Sequence, residues 1–198
     1  MSDGSVTGMF LCEDKDRGLK VLGIVSVLCV QLRTPFHEFC LRSDVLCRSC
    51  QEKMEKGEFS ELDLEISKIL MSPEEDKAST GEVEFLKSYA ARGILLIKLR
   101  KGGVAHLSAQ LNDLQDKIRN ATRRKAVFFD EGEPLRAVSE RLLYPARILS
   151  SRTSWLPGGA NLTVMRVDGK VEVDLKEAAK LLSDLYGVEL NITSNPST

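Results

Sequence analysis

The first regular pattern in the chain is a helix predicted over residues 60–71, where Leu62 and Ile66 stand four residues apart on one face. Ser60 is a natural N-cap for this helix, because a serine hydroxyl accepts a hydrogen bond from a backbone N–H of the first turn. Asp63, three residues later, supplies the acidic partner of a capping box. The spacing and the cap therefore predict the same first turn.

Strands follow this helix. Residues 93–100 are apolar and rich in β-branched side chains, with a glycine at the entry, which predicts a strand. In the stretch before it, Val83 and Phe85 alternate as in a strand, although the same stretch also suits a helix; we take it as the partner strand of a hairpin that turns at residues 90–93. The later predicted elements, in chain order, are a helix over 105–119, a strand over 127–129, a helix over 133–143, strands over 147–155 and 162–167, a helix over 174–186 and a strand over 188–192.

The order of these elements repeats. Helix, strand, strand, helix, strand occurs once in residues 60–131 and again in residues 132–193, a period of roughly 65–70 residues. This order predicts an α+β fold of two similar units, each with its helices on one face of a small three-stranded sheet, side by side. A polar tail, 194–198, follows.

Ahead of the repeat, four side chains stand in the spacing His-x2-Cys-x6-Cys-x2-Cys: His37, Cys40, Cys47 and Cys50. Zinc binds four nitrogen or sulfur donors at the corners of a tetrahedron, and two donors separated by two residues can hold one ion from a single turn. The six residues between the two pairs let the chain double back. The spacing therefore predicts a zinc knuckle over residues 33–57.

Two other interpretations of this stretch stay open. The thiols and the imidazole could be unrelated, or Cys47 and Cys50 could form a redox pair. The redox interpretation is weaker, because no helix N-terminus is predicted at Cys47 to lower its pKa. The five cysteines are odd in number and clustered, which argues against a disulfide framework and for a reducing compartment, so a cytoplasmic protein is expected.

The formal net charge of −1 excludes binding to nucleic acid through overall charge, so any such contact needs a local patch. One basic cluster follows the predicted helix 105–119: Lys117, Arg119, Arg123, Arg124 and Lys125. These cations can hold phosphates, or form a solvated edge with no ligand. A second, weaker patch surrounds the predicted knuckle: Arg33, Arg42, Arg48 and Lys53.

Residues 1–32 do not fit this organisation. Their apolar run, Leu19–Val30, is too short to span a bilayer. A signal-peptide core and a buried strand are both alternatives, but we expect an unstructured or mis-translated extension.

The knuckle, the repeated units and the sequence Leu143-Tyr144-Pro145-Ala146-Arg147 at the end of the second unit's first helix resemble the archaeal NusA-like proteins. This resemblance covers roughly residues 36–193 and implies two type II KH domains behind a zinc knuckle. It also implies a non-catalytic protein that binds single-stranded RNA, acts in transcription elongation or termination, and has RNA polymerase or a ribonucleoprotein as partner. Neither a membrane nor a small-molecule substrate is implied.

A KH domain clamps RNA with a Gly-x-x-Gly loop, because glycine lets the phosphate backbone come close. Here Ser108 and Leu111 stand where the glycines are expected, and residues 167–174 of the second unit join strand to helix directly. Neither loop therefore supplies a predicted RNA ligand, and a protein-binding module is the alternative function. No phosphate loop, nucleophile motif or open metal site indicates an enzyme.

Overall fold

The computed structural model describes residues 31–71, 82–155, 159 and 161–194. Within these ranges the fold is α+β, with seven helices and two sheets. The elements, in chain order, are β1 Gln31–Arg33, α1 Glu38–Ser43, α2 Arg48–Glu55, α3 Glu61–Met71, β2 Glu82–Ala91, β3 Ile94–Leu99, α4 Gly103–His106, α5 Leu111–Thr122, β4 Lys125–Asp130, α6 Leu135–Leu143, β5 Arg147–Trp155, β6 Asn161–Asp168, α7 Leu175–Tyr186 and β7 Glu189–Ser194.

The first sheet has the strand order β1-β2-β3-β4. Strands β2 and β3 form the predicted antiparallel hairpin, whose two-residue turn is Arg92-Gly93, and Gly93 takes a positive φ of 73° there. Strand β4 pairs with β3 in parallel, and β1 pairs with β2 in parallel. The strand β1 includes two residues of the predicted N-terminal extension; residues 1–30 lie outside the described part of the chain, as do 72–81 and the tail from 195.

Both faces of the first sheet are covered. In β3, Leu95 and Ile97 point into a core cluster with α3 and α5, while Ile94 and Leu96 point into a second cluster on the other face. Successive side chains of a strand point to opposite faces, so a strand buried on both sides needs an unbroken apolar run. This explains why β3 lacks the polar alternation of an exposed strand.

The second cluster joins the two repeats. It contains Val127 and Phe129 from β4, Val138 and Leu142 from α6, and further residues of α7, β6 and β7, including Met165. The second sheet has the order β5-β6-β7, with β5 antiparallel and β7 parallel to β6. Helices of the second repeat therefore pack on the sheet of the first. The expectation of three strands in each sheet is wrong for the first sheet, because β1 adds a fourth strand.

The predicted helix 105–119 is also wrong in detail, because it is two helices, α4 and α5. Helix α4 begins at Gly103, where a Cβ atom would lie 2.9 Å from the Cβ of Leu99. The carboxylate Oδ1 of Asp130 accepts a hydrogen bond from the N–H of Val104 at 2.9 Å. Strand ends of the sheet thus fix the start of α4, and the chain turns between the two helices.

Asp63 ties α3 to the first sheet. The capping box is present: Asp63 Oδ2 accepts from the N–H of Ser60 at 2.8 Å, and the Oγ of Ser60 accepts from the N–H of Asp63 at 3.2 Å. Oδ1 of Asp63 accepts from the N–H and the Oγ of Ser88 in β2, at 2.7 and 2.6 Å. The carboxylate is fully buried, and these hydrogen bonds offset the cost of burying its charge.

No helix among the described residues combines the length and the apolar character needed to cross a membrane.

Candidate metal centre

Two short helices position the four predicted ligands. His37 is the N-cap residue of α1, and Cys40 is the third residue of that helix. Cys47 and Cys50 hold the same two positions in α2. Each pair of ligands with two intervening residues therefore lies on the first turn of a helix, one pair on α1 and the other on α2.

The donor atoms converge. The Sγ atoms of Cys40, Cys47 and Cys50 and one ring nitrogen of His37 all lie within 4.8 Å of one another. Nδ1 of His37 is 3.1 Å from the Sγ of Cys47 and 3.7 Å from that of Cys50. Around a tetrahedral ion with Zn–S of about 2.3 Å and Zn–N of about 2.0 Å, neighbouring donors are roughly 3.5–3.8 Å apart. The four residues therefore fit a single tetrahedral ion, with Nδ1 as the donor of His37.

Helix N-termini favour negative charge on these sulfur atoms. The backbone N–H of Cys50, followed by the imidazole of His37, lowers the pKa of the Cys47 thiol to about 6. Burial acts in the opposite direction on Cys50 and raises its pKa. The prediction that Cys47 has no helix N-terminus is wrong, because Cys47 is the N-cap of α2.

The sulfur of Cys40 also accepts a hydrogen bond, from the N–H of Cys47 at 3.2 Å. This bond links the end of the loop between α1 and α2 back to the first ligand pair. Thiolate ligands are commonly held by such second contacts, which orient the donor. The loop is thereby shaped by the site itself.

A small apolar cluster packs against the site. Cys40 and Cys50 are buried in it beside Phe36, whose ring meets that of Phe59 edge-on at a centroid distance of 5.5 Å. Leu64 and Met71 of α3 pack against the same cluster. Helix α3 therefore carries the metal centre on one side and the first sheet on the other.

All four positions of this tetrahedron are taken by protein donors, which is the pattern of structural rather than catalytic metal sites. Among the described residues it is the one group of His, Cys, Asp and Glu side chains with this convergence. An ion held here would close the loop between α1 and α2. The chemistry that the donor set supports is cross-linking, not activation of a bound water.

The predicted basic cluster lies at the end of α5 and the start of β4. Arg123 is the C-cap residue of α5 with a positive φ of 58°, and it is exposed, as is Arg119. Lys125 is different, because its side chain is only 15% exposed and its Nζ donates to the backbone carbonyl of Tyr144. Burial lowers the pKa of Lys125 while Glu172, 3.9 Å away, raises it. Lys125 therefore contacts the second repeat rather than solvent.

Two further residues lie beside this cluster. Arg92 occupies the β2–β3 turn, and the carbonyl of the next residue, Gly93, accepts from the N–H of Lys125 at 2.9 Å. Tyr144, whose carbonyl binds Lys125, is 71% exposed. Sequence reasoning missed both, because they reach the cluster through the parallel β3–β4 pairing and the packing of α6, which no local pattern encodes.

Each of the four cations in the weaker basic patch around the knuckle has a partner in the protein, and three of them form ion pairs. Arg33 pairs with Glu82, Arg42 with Glu38 at 2.6 Å, and Arg48 with Glu52 at 3.0 Å. The ammonium of Lys53 donates to the carbonyl of Pro35 at 2.9 Å. These cations therefore do not form an open phosphate site.

No family model and no curated protein sequence matches the chain. A solved structure entitled "Crystal structure of APE1850" is similar to it with a TM-score of 0.37 and 17% sequence identity, over 55% of this chain and 84% of that chain. A likeness of this size carries no argument about function.

Proposed function

We propose that this chain is a non-catalytic, cytoplasmic RNA-binding protein of the archaeal NusA-like type, with a zinc knuckle and two KH-like units. The observation that carries the proposal is the shared strand pattern of the two repeats. In each, an antiparallel pair is followed by a third strand that joins in parallel, β2-β3-β4 and β5-β6-β7. This is the arrangement expected of type II KH units.

Zinc is the metal we assign to the site. Three thiolates and one imidazole are soft and borderline donors, which suit zinc better than magnesium or calcium, since those ions prefer oxygen ligands. Four donors within 4.8 Å of one another match the four-coordinate geometry that structural zinc sites adopt. Zinc here holds the knuckle against α3.

RNA is held by side chains in this proposal, not by a glycine loop. Residues 107–110, between α4 and α5, contain no glycine. The guanidinium groups of Arg119, Arg123 and Arg124 form no ion pair with another of the described residues, so their charge stays available for phosphate. Binding that rests on such contacts weakens steeply with salt.

The test is a fluorescence anisotropy titration of a labelled single-stranded oligouridine with the zinc-loaded full chain, at low and at physiological salt. We expect binding at low salt that falls by at least tenfold at the higher salt. A duplex of the same length serves as the competitor. If no binding is found even at low salt, the RNA-binding function is wrong.

The second candidate function is a protein-binding module that acts on RNA polymerase or a ribonucleoprotein without direct RNA contact. Phe39 and Val45 favour it, because both are apolar and lie on the knuckle with 71% and 65% of their surfaces exposed. Exposed apolar residues of this size are typical of protein contacts when they cluster. Absence of RNA binding, together with polymerase retention that is lost in Phe39→Ser, would favour this candidate.

A further inference from the structure

The two repeats meet at a surface that combines positive charge with an exposed aromatic ring. Arg92 lies in the β2–β3 turn, Arg123 ends α5, and Arg124 leads into β4. The pairing of Ile94 with Lys125 brings that turn beside the start of β4. We call Arg92, Arg119, Arg123, Arg124 and Tyr144 the joint surface.

Lys125 fixes the geometry of this surface. Its backbone N–H donates to Gly93 of the first repeat, and its Nζ donates to the carbonyl of Tyr144 in the second. Lys125 thus holds both the Arg92-Gly93 turn and the backbone of Tyr144 at the start of β4. The Glu172 carboxylate lies 3.9 Å from this Nζ and forms an ion pair with Lys125.

Tyr144 is exposed although a large aromatic ring gains free energy from burial. Its neighbours in α6, Leu142 and Leu143, are both fully buried. Tyr144 is the C-cap residue of α6, and its carbonyl accepts a hydrogen bond from Lys125, the residue that follows Arg124 in the chain. An aromatic face near guanidinium groups that form no ion pair with the described residues is the combination that binds single-stranded nucleic acid, because bases stack on the ring while cations follow the phosphates.

We propose that single-stranded RNA crosses the joint between the two repeats, with one base stacked on Tyr144 and adjacent phosphates held by Arg92 and the arginines at the end of α5. This inference rests on the proposed RNA binding and names the surface that performs it. The surface lies where β3 and β4 begin, whereas α4 and the loop after it follow the other end of β3. The proposed RNA site is therefore at the opposite end of β3 from Ser108 and Leu111, which stand where the glycines of a KH loop are expected.

The two contact types give different signatures. Replacing Tyr144 by leucine keeps an apolar side chain but removes the π face, and we expect RNA affinity to fall about 5- to 150-fold with an unchanged salt slope. Tyr144→Phe keeps the π face and should bind like the unmodified chain. Arg92→Ala removes one phosphate contact, so the slope of log affinity against log salt should become shallower by about 0.7.

The measurement is the anisotropy titration with labelled oligouridine, on the zinc-loaded full chain, at four salt concentrations. The matched control is Arg152→Ala, an exposed arginine on β5 about 16 Å along the strand from Arg147, the first residue of β5. This control should change neither affinity nor slope. Thermal unfolding midpoints of the tyrosine variants show whether any loss comes from misfolding.

The outcomes separate the two proposals. If the unmodified chain does not bind RNA at low salt, the proposed function fails and the joint surface with it. If it binds, but Tyr144→Leu keeps full affinity and Arg92→Ala keeps the full slope, RNA binding stands and the joint surface is wrong. Arg92 is exposed in a turn, so its variant tests the inference even if Tyr144→Leu unfolds.

Discussion

Nδ1 of His37 lies 3.1 Å from the Sγ of Cys47, although the two residues are ten positions apart in the chain. Each of these residues is the N-cap of its own short helix, and neither side chain makes the usual capping hydrogen bond. The side chains that would cap the helices point at each other instead. This relationship is the geometric basis of the candidate metal centre.

The first prediction is that the full chain carries about one zinc ion, and that His37→Ala loses it. Removal of a group that only orients a ligand costs about 10- to 100-fold in metal affinity, so removal of a ligand should cost more. Elemental analysis after dialysis against a weak chelator measures the loss. His106→Ala replaces an exposed histidine outside the cluster and should keep the ion; an equal zinc content in both variants would contradict the assignment.

The second prediction concerns metal removal. The knuckle has a small core of its own, with four buried side chains, Phe36, Cys40, Leu41 and Cys50, and a core of this size is not stable alone. Chelation should therefore unfold α1 and α2 and leave the sheets folded. Hydrogen exchange of the full chain, with and without chelator, should show lost protection in residues 38–55 and retained protection in β3 and β4. Loss throughout the chain would show that the ion is needed for the whole fold.

The third prediction is that Asp63→Ala destabilises the chain by about 3 kcal/mol or more, because it removes a charged acceptor and leaves the buried N–H of Ser88 without its partner. Urea unfolding measures the change. Glu65→Ala, on the exposed face of the same helix, is the control and should stay within about 0.5 kcal/mol of the unmodified chain. A similar small change in both variants would show that the buried carboxylate is not needed.

The order of the elements was predictable because local spacing determines it. The strand predicted over 93–100 is β3, Ile94–Leu99, and the helix predicted over 174–186 is α7, Leu175–Tyr186, with Asp174 as its N-cap. Asp174 accepts hydrogen bonds from the N–H groups of Lys176 and Glu177. These are features that an eleven-residue window contains.

The parts that were missed depend on distant residues. Strand β1 has only three residues, and its pairing with Glu82 and its neighbours is long-range. Helix α2 was missed because Gln51 and the residues after it are polar, as expected of a helix that buries only Cys50. The start of α4 depends on Asp130 at the end of β4, whose carboxylate accepts from the N–H of Val104. No periodicity in the sequence carries this information.

The convergence of the four residues of the candidate metal centre could be predicted from the sequence, but the helices that carry them could not. The spacing of His37, Cys40, Cys47 and Cys50 was sufficient to propose that they converge, because metal coordination limits the spacing of its ligands. That both pairs begin helices was not predictable from a six-residue linker. Because helix α2 was not predicted, the lowered pKa of Cys47, about 6, was not predicted either.

The fourth prediction is that the two repeats unfold together. Leu142 of α6 is fully buried in the cluster that also contains Val127 and Phe129 of β4. Leu142→Ala should lower the free energy of unfolding by about 2–5 kcal/mol. Amides in both sheets should then exchange faster. Hydrogen exchange of amides in β4 and in β6 measures it, and Leu149→Ala, which is 56% exposed on β5, is the control. Faster exchange in β6 alone would show that the repeats are independent.

Helix α3 and strand β1 together decide how this chain can be shortened. A fragment that starts at Ser60 would leave Leu64 and Met71 facing water, since their packing partners precede that residue. It would also free one side of β2, because β1 is its neighbour there. An unpaired strand edge beside exposed apolar side chains recruits other chains. The residues before Ser60 thus protect the repeats from self-association. A fragment that lacks them should precipitate rather than stay in solution as a folded domain.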